Sequence, residues 1–358
     1  MAYSSIAKPT DYFRTKLYTG NGGSQSITFD ETATNMQPDW VFIKKRNGAA
    51  DSSLMDVVRG VRKSLRSNKT NGEYTESSGL SSFDTNGFSF DGSGFNHVNT
   101  NSDTFAAWTW KAGGSASSNG DGSIASSVSV NTTAGFSILT FTGTQSVGTV
   151  GHGLGSAPGF MIVKNTVDAS ADAWYVYHQG LASDPQTDYI ILNTTGAGTD
   201  ANTPWNDTAP TSSVFTVGAD GGTNESGSTM LAYCFAEKKG YSRFGSYTGN
   251  GNADGTFVYT GFRPAWVLIK QSSTSGEEWQ LLDNKRNTFN PTNTALFPSS
   301  SAAENSGNDR SDFLSNGFKC RSTSAGVNAS GATYIYIAFA ENPFVANDSG
   351  TAVPVTAR

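Results

Sequence analysis

The sequence predicts an all-β fold on three observations: scarce charge amid abundant turn residues, short alternating apolar runs, and one pattern repeated three times. Charged residues are only 15% of the chain while glycines number 40, with Ser, Thr and Asn throughout. Aromatics, at 12%, are too many for a disordered polar chain, which cannot bury enough apolar surface to offset its conformational entropy. Half-buried strands separated by Gly/Asn/Ser turns fit instead, because they bury only alternate side chains.

The repeat has three landmarks in a fixed order. An aromatic-Thr-Gly step occurs at Tyr18-Thr19-Gly20, Phe141-Thr142-Gly143 and Tyr247-Thr248-Gly249. A proline then leads an apolar strand ending in lysine: Pro38 to Lys44, Pro158 to Lys164 and Pro264 to Lys270. A closing strand follows a polar turn that begins at Asn99, Asn224 or Asn328. In each closing segment Thr stands five positions after the Asn (Thr104, Thr229, Thr333) and an aromatic eleven after it (Trp110, Phe235, Phe339). Tyr, Phe, Trp, Ile and Thr crowd these strands, as a pleated surface favours. Asn86-Gly87-Phe88 and Asn316-Gly317-Phe318 mark tight corners, since Asn and Gly accept positive φ; Ser213-Val214-Phe215 takes that place in the second copy.

Copies of about 100 residues with many short strands predict three tandem antiparallel β-sandwich domains of jelly-roll or concanavalin A-like type. The expected divisions are repeat 1 over 1–113, a Gly/Ser linker over 114–123, repeat 2 over 124–239, repeat 3 over 240–345 and a tail over 346–358. The linker reads as flexible, whereas Lys238 to Tyr241 is too short to let domains move freely. Copies two and three are therefore expected to form a stiff pair, with copy one loosely tethered. Leu54, Val57, Val58, Val61 and Leu65 fall at helical spacing, but the matching stretches carry Pro185 and Pro291, which a helix interior does not tolerate. Strand–loop–strand is the expectation there. Val353-Pro-Val355 reads as a strand that docks at a sheet edge.

Chemistry-bearing patterns are sparse. The net charge is −6 and Lys and Arg gather into no long stripe, so nucleic-acid binding is not expected. Cys234 and Cys320 lie in different copies and are expected unpaired. His97, His152 and His178 occupy unmatched positions, without the spacing that closes a metal shell, and no metal or cofactor is expected. Glycoside hydrolysis needs two carboxylates roughly 5–10 Å apart, and no strand carries acids at i and i+2; no catalytic residue is expected. Asn119 to Asp121 and Asp220 lack the calcium loop's closing glutamate. Lys44, Lys164 and Lys270 read as strand ends whose stems lie over the core. Asn131, Asn193 and Asn328 head Asn-x-Thr or Asn-x-Ser triplets that read as turn chemistry. No signal-peptide pattern opens the sequence and no run approaches the ~18 apolar residues that span a bilayer, so no membrane insertion is expected. The alternation in Tyr334-Ile335-Tyr336-Ile337 puts both tyrosines on one face; with the isoleucines inward, Tyr334 and Tyr336 become a candidate contact surface for a neighbouring subunit or a sugar.

Four segments carry a resemblance. Ser5-Ile-Ala-Lys-Pro-Thr-Asp-Tyr-Phe13 with Lys16-Leu-Tyr-Thr-Gly-Asn21, Val150-Gly-His-Gly-Leu-Gly155, Gly245-Ser-Tyr-Thr-Gly-Asn-Gly251 and Ala338-Phe-Ala-Glu-Asn-Pro-Phe344 resemble a family of tailed-phage virion structural proteins found in marine phages. The resemblance runs over nearly the whole chain and implies lectin-like β-sandwich repeats and a place in the virion. It implies a tail-associated or tail-fibre protein that forms a homo-oligomer, with other virion proteins and copies of itself as partners and host surface polysaccharide or receptor within reach. Capsid decoration or a head fibre is the alternative, and a carbohydrate-binding module or polysaccharide depolymerase the second.

Overall fold

The computed structural model describes residues 4–30, 34–167 and 172–343, and the backbone of 345–348 and 351–354. It is all-β, with antiparallel sheets throughout; the α-helices among the described residues, Asn202–Trp205 and Gly221–Asn224, are single turns. One four-strand arrangement occurs three times, each with the spatial order opening, closing, lysine and outer strand. In the first unit these are Phe13–Thr19, Thr104–Trp110, Trp40–Lys45 and Ser53–Asp56. In the second they are Phe136–Thr142, Thr229–Phe235, Phe160–Asn165 and Tyr175–His178. In the third they are Ser242–Thr248, Thr333–Pro343, Phe262–Gln271 and Gln280–Asp283. Registers agree as well: Thr19 pairs Thr104, Thr142 pairs Thr229 and Thr248 pairs Thr333. Likewise Trp40 pairs Trp110, Phe160 pairs Phe235 and Trp266 pairs Phe339.

The repeated residues have specific work at one end of each unit. Asn99, Asn224 and Asn328 are fully buried, and each amide donates to loop carbonyls while its oxygen accepts the N–H just beyond the Thr-Gly step: Asn21, Thr144 or Asn250. The landmark glycine is there for clearance. A Cβ on Gly20, Gly143 or Gly249 would sit 2.3, 2.1 or 2.3 Å from a backbone oxygen of that Asn loop.

Each four-stranded sheet buries both faces. One face packs under a smaller sheet, formed by Ser24–Thr28, Gly87–Asp91 and Leu80–Asp84 in the first unit and by Phe257–Tyr259, Gly317–Cys320 and Ser311–Leu314 in the third. In the second unit Gly148–Gly151 pairs with Val214–Val217 in that place. The opposite faces of all three sheets meet in one shared core. At its centre the ring centroids of Trp110, Phe235 and Phe339 form a triangle of 6.3, 5.6 and 5.7 Å. These are the equivalent landmark aromatics, so the triangle marks a pseudo-threefold axis. Such contacts add roughly 0.5–1.5 kcal/mol each beyond area burial.

Several expectations need correction. The stretch 114–123 is not an unstructured linker, because Ser117–Asn119 pairs with Ser126–Val128 and extends the second sheet. Copy one is not loosely tethered, since its aromatics supply part of the shared core. Ser53–Asp56 is a strand followed by a turn and the short strand Lys63–Ser64, as the prolines of the other copies required. In the tail, Val345–Asp348 pairs with Thr351–Pro354 in a local hairpin; Val355 lies outside the described residues.

Candidate interaction surface

The repeated lysines sit at the seams between units. Lys44, Lys164 and Lys270 are at most 1% exposed. Lys44 Nζ donates to Ala50 O at 3.2 Å and, across a seam, to Ser300 O at 2.6 Å. Lys164 Nζ donates to Asp172 O and to Thr70 O of the first unit, both at 2.9 Å. Lys270 Nζ donates to Gln271 O at 2.7 Å and to Thr195 O of the second unit at 3.4 Å. The order is cyclic: first to third, second to first, third to second. Two residues on, the carbonyls of Arg46, Thr166 and Ser272 accept from Glu304, Glu73 and Gly198 of the adjoining units, again in a ring. The ring is closed. Burial lowers the pKa of Lys44 and Lys270 to about 8, partly offset by Asp51 and Glu278 for the first and by Glu277 and Glu278 for the second. These buried ammonium groups hold units together; they are not strand ends reaching for solvent.

The seams differ at one set of equivalent positions. Where units one and two meet, Asp56 takes Arg59 Nε at 2.6 Å and the Tyr233 hydroxyl at 2.8 Å, and Arg59 reaches Glu73 at 3.4 Å. Where three and one meet, Asp283 takes Arg286 Nε at 2.5 Å and Trp108 Nε1 at 3.0 Å, and Glu304 joins Arg286 to Arg46. Where two and three meet, the same positions hold His178, Leu181 and Gly198, and Ile337 stands at the register position of Tyr233 and Trp108. An isoleucine offers no donor, so an aspartate there would be buried without its partner. His178 Nε2 lies 3.0 Å from Tyr336 O and its Nδ1 accepts from Gly180 N–H, which fixes the Nε2–H tautomer. Burial pushes its pKa down to about 4. His152 also accepts a backbone N–H, from Leu154, and lies apart from His178 in the second unit; His97 stands in the first. The histidines form no group, and no set of three His, Cys, Asp or Glu suited to a metal occurs among the described residues. Cys234 and Cys320 are buried free thiols, with burial raising both pKa values.

Tyr334 and Tyr336 do not form an outer surface. They are 0% and 3% exposed and pack beneath the smaller sheet, while Ile335 and Ile337 face the shared core. Both faces of that strand are covered, which alternation alone could not reveal.

The surface singles out a different pair. On the outer sheet of the third unit, Phe257 and Tyr259 are 45% and 58% exposed, with Val258 buried between them. Register makes Phe257 equivalent to Ser26 and Thr149, and Tyr259 equivalent to Thr28 and Gly151. Only the third unit puts aromatics there. A Cβ on Gly317 would lie 2.1 Å from Val258 O and 3.1 Å from Phe257 Cε2, so the edge of the Phe257 ring lies near that glycine on the neighbouring strand. Beside the pair, Lys319 meets Asp254 at 2.5 Å and Arg321 meets Asp312 at 3.3 Å. Tyr259 also borders an open groove of about 640 Å³ lined by Glu237, Arg243, Ser242 and Thr260. There Glu237 accepts from Arg243 at 3.1 Å and from Phe244 N–H at 2.6 Å, and burial raises its carboxyl pKa. Aligning Ser26-Ile-Thr28 with Phe257-Val-Tyr259 would have found the pair from sequence, but the landmarks lie elsewhere. No helix of the described residues is long and apolar enough to cross a membrane.

The model of one protein family, described as a domain of unknown function (DUF7483), matches residues 8–343. No curated protein and no solved structure matches the chain.

Proposed function

Since the chain belongs to the DUF7483 family, we propose that it is a non-enzymatic structural protein of a tailed-phage virion, tail-associated and assembling with copies of itself. We read the three recurring arrangements as three tandem β-sandwich domains of jelly-roll or concanavalin A-like type. The observation that carries the reading is the closed ring. Three sheets share one aromatic core, and buried lysines link each unit to the next in cyclic order. A closed, densely packed core resists deformation, because close-packed interiors transmit strain and leave little room to relax. Such a body suits presenting surfaces better than opening a cleft for turnover. A pseudo-threefold chain also matches a threefold-symmetric neighbour, as in a fibre, without needing three chains to do so. The segments that resemble the phage family support the same reading: Lys16 to Asn21 and Gly245 to Gly251 run from the end of an opening strand into the loops that Asn99 and Asn328 tie down.

The test is imaging of virions labelled with antibody against this chain. Label on the tail, at a few to a dozen copies per particle, supports the reading. Label spread over the capsid would make it a decoration protein, and unlabelled particles would remove it from the virion.

A further inference from the structure

We propose that the outer sheet of the third unit is a glycan-binding surface, on which sugar rings stack against Phe257 and Tyr259 while Lys319, Arg321 and Asp254 bind hydroxyl groups. The inference adds a host-surface contact to the proposed virion function and rests on that function only for biological setting. Alternate residues on one strand face stand roughly 6.5 Å apart, so the two rings can meet successive parts of one extended sugar chain. Phe257 and Tyr259 are 45% and 58% exposed, so both rings are open to a ligand. Aromatic faces take the apolar C–H side of a sugar, and charged groups fixed beside them take its hydroxyls.

The surroundings favour a glycan over a protein partner. The centre of a protein interface is depleted of charge and needs about 800 Å² on each side. Here the apolar part is two side chains wide, and paired ions stand directly against it: Lys319–Asp254 at 2.5 Å, Arg321–Asp254 at 3.4 Å and Arg321–Asp312 at 3.3 Å. Those pairs hold their donors and acceptors in place, so a polyhydroxylated ligand meets them already oriented. The groove next to Tyr259 continues the polar lining with Arg243 and Glu237, which gives a longer chain a path. Nucleic acid is disfavoured because Asp254, Asp312 and Glu237 face the ligand together with the basic groups. The pseudo-symmetry supplies an internal comparison: Ser26 and Thr28 occupy the same outer positions in the first unit without aromatic rings.

The experiment is binding of the intact chain to a printed array of purified bacterial capsular and O-antigen oligosaccharides. Three proteins are compared: wild type, the double variant Phe257→Ala/Tyr259→Ala, and Ser26→Ala/Thr28→Ala as the mirror control. The expected result is wild-type binding to one or more glycans, at least tenfold weaker in the aromatic variant and unchanged in the control. Both variants alter exposed side chains, and equal thermal midpoints would show that they fold. Absence of wild-type binding to every glycan, or binding that survives loss of both rings, would overturn the proposal. So would wild-type self-association in sedimentation that the aromatic variant abolishes, because the face would then belong to a second copy. Unlabelled virions would end the virion reading and leave this result standing.

Discussion

Lys44 donates from Nζ to the backbone carbonyl of Ser300, 2.6 Å away across the seam between the first and third units. The same bond recurs between Lys164 and Thr70 and between Lys270 and Thr195, so one residue type in one register closes a ring made from a single chain.

Alkaline stability should rise before it falls. Lys44 and Lys270 have folded pKa values of about 8, below the ordinary 10.5, so between these limits the unfolded chain holds protons that the native one releases. Native stability then increases with pH, by about 2 kcal/mol per lysine between pH 7.5 and 9.5. Urea midpoints at the two pH values check this, and Lys44→Met with Lys270→Met should flatten the rise. A decline over the same range in the wild type would contradict it.

Acid should loosen the seam between units two and three. His178 is neutral in the fold, with a pKa of about 4, while the unfolded residue protonates near 6.5. Stability is therefore complete above about pH 6.5 and is lost as pH falls towards 4, by about 2 kcal/mol between pH 7.5 and 5. His178→Gln keeps a donor for Tyr336 O and does not titrate. Denaturation at both pH values should show a smaller acid loss in the variant. His97 and His152 have lowered pKa values of the same sign and remain in both proteins, so an equal loss in the two would exclude His178 as the cause.

Tryptophan at the pseudo-threefold core should be replaceable by phenylalanine. The indole N–H groups of Trp40, Trp110 and Trp266 are buried without an acceptor among the described residues, and the second unit uses Phe160 and Phe235 at the equivalent places. Trp266→Phe removes an unsatisfied donor while leaving a small void, so its net cost should stay below about 1.5 kcal/mol. Trp266→Ala should cost about 3–5 kcal/mol. Chemical denaturation of the two variants separates these cases.

The landmark glycine and asparagine should tolerate no substitution. Gly143→Ala would place Cβ 2.1 Å from Glu225 O. Asn328→Asp would replace the amide donor with a carboxylate oxygen set against the oxygens of Asn250, Asn252 and Ser322. Each variant should lose about 2–4 kcal/mol, the aspartate less at low pH where its carboxyl can donate. A thermal midpoint equal to wild type would remove the structural role assigned to the motif.

Much of the fold was legible because the landmarks are the contacts. Thr-Gly, Pro-to-Lys and Asn-x4-Thr recur because each meets another of them, at the Asn hub, in the closing strand or at a seam. The shared core was hidden for a physical reason. Alternation reads as one wet face and one dry face, but Tyr334-Ile335-Tyr336-Ile337 is buried on both, since the other units cover the side that a lone sandwich would expose. That is why Tyr334 and Tyr336 were misplaced. The lysines misled likewise, because a strand-terminal lysine is usually solvated and nothing local signals carbonyls supplied by a neighbouring unit. Ser117–Asn119 has loop composition, yet backbone pairing to Ser126–Val128 needs no apolar side chain.

Scanning calorimetry of the intact chain tests the shared core most directly. If the three units form one closed body, unfolding is a single transition whose calorimetric enthalpy, about 250 kcal/mol near 60 °C for a chain of 358 residues, equals the van't Hoff value. Two or three separate transitions, each with the enthalpy of one unit, would contradict it.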